Sequence, residues 1–124
     1  MRPPAEPSWA RSNWQSYCVG LPEGIDQREI MQALLDRGIA TRRGVMSAHR
    51  QPAYEVQPWS CSPDSSRCVH GGKSCPRLIE SARAEDRSIL LPLFAGMTND
   101  EQDVVVAELE RALGLVGEPQ RTGA

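Results

Sequence analysis

Residues 26–43 read DQREIMQALLDRGIATRR, and they decide the fold because two kinds of element meet within them. Asp26 can cap the first free amides of a helix while Glu29, three residues on, reaches back, which is capping-box spacing. Ile30, Leu34 and Gly38 then keep a helical count, with Met31, Ala33 and Leu35 widening the apolar stripe. Gly38 suits the left-handed position just past a helix end. The five residues after it, IATRR, predict a strand.

Upstream, SYCVGLP (16–22) is a short β-prone run closed by Pro22 and Gly24. Residues 1–14 hold three prolines, two tryptophans and no periodicity, and are expected to form a flexible leader. Downstream, residues 44–76 carry little periodicity, and an irregular cysteine-containing loop is expected over 55–76. PRLIESARAEDR (76–87) predicts a helix of two to three turns. SILLPLF (88–94) predicts a buried-type strand whose far end Pro92 pushes to an edge or a bulge. TNDEQ (98–102) holds a second capping box, Thr98 to Glu101, and Val105, Leu109 and Leu113 form a helical stripe closed by Gly114. A frayed tail is expected over 115–124.

The expected order is therefore strand, helix, strand, long loop, helix, strand, helix, with one folded region over 15–114. The economical packing is α+β: a small, mainly antiparallel sheet of three to four strands with helices on one face. Fold alone names no function.

The totals narrow the field. A chain of 124 residues with 40% apolar and 24% charged residues is long enough for one cored domain. A net charge of −2 provides no general attraction to nucleic acid or to an acidic membrane, so neither partner is expected. The longest apolar runs are too short or too interrupted to span a bilayer. The proline-rich start lacks the apolar core of a signal peptide, which leads to the expectation of a cytoplasmic protein with reduced cysteines.

Two clusters of chemistry-bearing residues stand out. Cys61, Cys68, His70 and Cys75 place four zinc-capable groups within fifteen residues. Structural zinc sites bring paired cysteines two to four residues apart, whereas both gaps between these cysteines hold six. No metal site is favoured, and an incidental loop is the preferred reading. A disulfide is disfavoured in a reducing compartment. The second cluster is TRRGVMSAHRQPAY (41–54), with three arginines, one of two histidines and an aromatic ring. Guanidinium forks suit phosphate or carboxylate. Arg42 and Arg43 would face opposite ways on a regular strand, however, and exposed arginine is common, so surface solvation is preferred for each.

Taken in order, Arg37-Gly38-Ile39, Thr41, His49, Gln51-Pro52-Ala53-Tyr54, Leu91-Pro92-Leu93, Gly96-Met97-Thr98 and Glu101-Gln102 resemble the C-terminal small domain of the DegT/DnrJ/StrS-type sugar aminotransferases. The resemblance spans about residues 13–114. It implies the small domain of a fold-type I pyridoxal-phosphate enzyme, commonly a homodimer. Such enzymes move an amino group from a donor such as glutamate to a keto group on a nucleotide-linked sugar or a cyclitol.

The resemblance also implies a substrate-contacting role for His49, while Arg43, Arg50 and Tyr54 are substrate-binding candidates on their side-chain chemistry in the same stretch. Tyr54 is read foremost as a ring that anchors the loop. The departure from the family lies in the lysine that bonds the cofactor aldehyde. Lys73 is the sole lysine, and it lies in HGGKSC, on the wrong side of the matching motifs. The expectation is a small domain whose catalytic half, with its Schiff-base lysine, belongs elsewhere, for instance to a separate large-domain polypeptide. Such a chain has no catalytic residue of its own, is inactive alone and binds no cofactor covalently. The alternatives are a non-enzymatic binding or metal-binding module derived from that domain, and a gene remnant.

Overall fold

The computed structural model describes residues 1–56 and 76–114. Along the chain run β1 (Tyr17–Gly20), α1 (Gln27–Leu35), β2 (Arg42–Arg43), α2 (Pro52–Val56), α3 (Ile79–Arg87), β3 (Ser88–Leu91) and α4 (Asn99–Ala112). Short 3₁₀ turns at Ala48–Arg50 and Pro76–Leu78 precede α2 and α3. This is the expected α+β class: among the described residues, four α-helices and an open three-stranded antiparallel sheet. The chain divides into two compact units, Met1–Gly44 with Arg87–Ala124, and Val45–Asp86. Cys61, Cys68, His70, Lys73 and Cys75, and the tail from 115, lie outside the described residues.

In the first unit the strand order is β1-β3-β2. β3 is central because SILL is its most apolar run, and a central strand is covered on both sides. Tyr17 pairs with Leu91 and Val19 with Ile89, while on the other side Arg42 pairs with Leu90 and Arg43 with Ile89. Side chains alternate along a strand, so Val19 and Ile89 share one face. They meet Ile30 and Leu34 of α1 and Val105 and Leu109 of α4, the stripes expected from the helical count. Leu34, Ile89, Leu109 and Val19 are the largest fully buried side chains.

The helix ends follow from their caps. Asp26 Oδ1 accepts the N–H groups of Arg28 and Glu29 at 2.7 and 3.1 Å. At α4 both halves of the box form: the Glu101 N–H donates to Thr98 Oγ1, and the Thr98 N–H donates to Glu101 Oε2. Gly38 (φ 79°) and Ile39 close α1, with the Ile39 N–H on Leu34 O and the Gly38 N–H on Leu35 O, both at 2.9 Å. This is the Schellman pairing.

That closure corrects the expectation for IATRR. Ile39 is spent on ending the helix and packs into the core with Leu34, so the strand shrinks from five residues to Arg42–Arg43. Likewise β3 ends at Leu91, one residue before Pro92, which has no N–H to offer a ladder. Within the leader, Arg2 and Gly20 exchange two backbone hydrogen bonds of 2.8 and 2.9 Å on β1.

Candidate functional site

The second unit holds the irregular part of the chain, and its backbone is built from small local bonds. After Ser47 the chain makes the 3₁₀ turn Ala48–Arg50, with the Arg50 N–H on Ser47 O and the Gln51 N–H on Ala48 O. Pro52 then opens α2, where a missing N–H costs nothing in the first turn. No apolar period announces this five-residue helix.

His49 sits in the middle of the 3₁₀ turn and is only 6% exposed. Its Nε2 is buried without a hydrogen-bond partner. His49 lines a cleft of about 660 Å³ together with Val45, Met46, Ser47, Ala48, Tyr54, Leu78, Glu80, Ser81 and Ala84. The lining is apolar over much of its area, with one imidazole, one phenol, two serines and one carboxylate. Ligand clefts span roughly 300–1,000 Å³ and pair an apolar lining with a few placed polar groups. A buried polar atom without a partner costs about 1–3 kcal/mol, and Nε2 of His49 is such an atom, closed to solvent beside the cleft.

Beside His49, Arg50 is turned away into a bidentate pair. Its Nη1 and Nη2 reach Asp86 Oδ1 and Oδ2 at 2.5 and 3.0 Å, and Nη1 lies 3.5 Å from Glu85 Oε2. Glu85 is buried, and its Oε2 also accepts the Ser47 N–H at 3.3 Å. Ser47 Oγ donates to Ser81 O at 3.0 Å. The Asp86 carboxylate, bonded to the fork, is the main reason the Arg50 guanidinium holds its proton even more tightly than usual, and Glu85 adds to it.

The four substrate-binding candidates therefore have different placements. His49 and Tyr54 line one cleft, and Tyr54 is half exposed. Arg50 spends its fork on Asp86 and Glu85. Arg43 belongs to the first unit, exposed on β2 opposite Ile89. Sequence reading passed over Ser47, Ser81, Glu85 and Asp86. One signal could have found the last two: adjacent carboxylates in the final turn of a helix oppose its dipole and call for a cation.

Pyridoxal phosphate, which the resemblance implies, needs an amine for its aldehyde and donors for its phosphate. The described residues contain no lysine, since Lys73 is the chain's only one. Among the described residues, the cleft lining carries Glu80 and no cation. These residues do not fit the cofactor on their own. Among the described residues, no group of three or more histidine, cysteine, aspartate or glutamate side chains is placed to hold a metal ion. No helix among them is long and apolar enough to cross a membrane.

Fold and site together define a small α+β domain carrying a histidine-lined cleft. A scan of the chain against protein-family models finds no match.

Proposed function

We propose that this chain acts as the C-terminal, substrate-closing domain of a pyridoxal-phosphate-dependent aminotransferase of the DegT/DnrJ/StrS type. The amino group would pass from a donor such as glutamate to a keto group on a nucleotide-linked sugar or a cyclitol. The observation that carries this reading is His49, buried in the cleft with an unpartnered Nε2, at the position where the motif order calls for a substrate-contacting histidine. The α+β architecture and the ordered motifs over 13–114 support it. The cofactor and its lysine would come from a large domain that these 124 residues do not contain, and without it the chain has no transaminase activity. In the same reading the setting is cytoplasmic and the assembled enzyme is a homodimer.

Reconstitution tests it. The chain is mixed with the lysine-bearing large domain of a sugar aminotransferase stripped of its own small domain, and 2-oxoglutarate released from glutamate is measured with a keto-sugar acceptor. The expected result is release that requires both polypeptides and falls when His49 is changed to Ala. Release restored by the cognate small domain but never by this chain would sink the reading.

A further inference from the structure

We propose that Arg50, Glu85 and Asp86 are positioning residues that hold the His49 turn in place, and that Arg50 is not itself an anion ligand. The inference rests on His49 being the ligand-facing group of the cleft. No hydrogen bond at Nε2 holds the ring, which leaves the packing around it and the backbone on either side to place it. Both sides are tied to α3. Before His49, Ser47 gives its N–H to Glu85 Oε2 and its hydroxyl to Ser81 O. After it, Arg50 forks onto Asp86 and reaches Glu85. A three-residue turn pinned at both ends leaves its middle residue little freedom.

The same geometry argues against a ligand role for Arg50. A phosphate or carboxylate seated on the same two nitrogens would have to displace Asp86 from both, and would disturb the Nη1 contact with Glu85, whose side chain is 5% exposed. Asp86 is 52% exposed and Glu85 5%, so the contact with Glu85 is the one made away from water. The raised proton affinity of Arg50 agrees with a guanidinium already balanced by carboxylates.

NMR of the full chain without ligand tests this, with the ring signal of His49 assigned against a His70→Asn variant. In Asp86→Asn and in Arg50→Gln the His49 ring resonance moves. Exchange of the Arg50 and Gln51 amides rises about tenfold, the equivalent of one lost charge-assisted hydrogen bond. Methyl signals of Val19, Leu34 and Ile89 stay in place, and Asp86→Glu, which keeps a two-oxygen acceptor, restores the ring resonance. Should Asp86→Asn fail to fold, Ser47→Ala removes one tie and no charge, and it is judged by the same ring signal. Unmoved His49 signals in folded variants would overturn the positioning role. A second arm titrates inorganic phosphate while watching the Arg50 Nε–H. No saturable shift is expected, and a saturable shift lost in Arg50→Gln would make Arg50 a ligand residue after all. Neither arm uses cofactor or a large domain, so failure of the aminotransferase reading leaves both results standing.

Discussion

Gly44 donates its N–H to the carbonyl of Ser88 at 2.8 Å, and a Cβ built on Gly44 would lie 2.4 Å from Ser88 Oγ and 2.7 Å from Cys18 Sγ. The same Ser88 carbonyl accepts Gln27 Nε2 at 2.6 Å. The chain leaving β2 therefore passes against the sheet at a distance that only glycine permits. Gly44→Ala must push Ser88 or Cys18 aside, and the expected loss is about 1–3 kcal/mol, as for other overpacked sites. Urea unfolding followed by circular dichroism measures it. A variant as stable as the parent would mean the approach is looser than 2.4 Å implies.

Leu34 and Leu35 are neighbours with opposite fates, the first fully buried and the second 55% exposed. Leu34 sits in the cluster that joins α1 and α4 to Val19 and Ile89. Leu34→Ala should cost about 2–5 kcal/mol, the range for a buried leucine leaving a cavity. Leu35→Ala should stay within about 0.5 kcal/mol, as surface changes do. Comparing the two urea midpoints decides it, and equal losses would contradict the packing.

That contrast marks how much of the fold was legible. Ile30, Leu34, Val105 and Leu109 announced themselves by spacing, and Asp26 and Thr98 announced where their helices begin, because both signals are local. β3 was legible as an apolar run. What failed was less local. Ile39 carries a strand-like side chain yet is claimed by the Schellman closure at Gly38, and no propensity expresses that competition. α2 is too short to show a period. At the candidate site, His49 and Tyr54 were legible as residue types in an irregular stretch. The Arg50–Asp86 pair spans 36 positions, so Arg50 could be read only as a cation without a known partner.

The Thr98–Glu101 box makes the start of α4 sensitive to acid. The Thr98 N–H, and after it the Thr98 hydroxyl, hold the Glu101 carboxyl below its ordinary range. A carboxylate depressed in the folded state adds stability above its unfolded value, and that contribution is lost as pH falls through the lower folded value. The amides of the first turn of α4 should therefore be less protected in acid than near neutral pH, when exchange is compared with the intrinsic rate at each pH. Glu101→Gln should flatten this dependence. Thr98→Ala, which removes the hydroxyl cap, should cost about 1 kcal/mol at neutral pH. A Glu101 carboxyl that titrates like a free glutamate would refute the pH argument and leave the cap argument intact.

His49 offers a test in which stability and function separate. A side chain kept for packing alone destabilises when replaced, whereas one kept for a ligand need not. With Nε2 buried and unpartnered, that nitrogen carries a desolvation cost that no bond to it offsets, and an apolar side chain of similar size would avoid it. Replacing a buried polar group by an apolar one of the same shape is nearly neutral or stabilising. His49→Leu should therefore unfold at the same urea concentration as the parent or a higher one, with a gain of up to about 1 kcal/mol. In the reconstituted pair it should lose amino transfer, because the Leu cannot hydrogen-bond substrate. A clear loss of stability would instead make His49 a packing residue, and the cleft would lose the polar group that suggests a ligand.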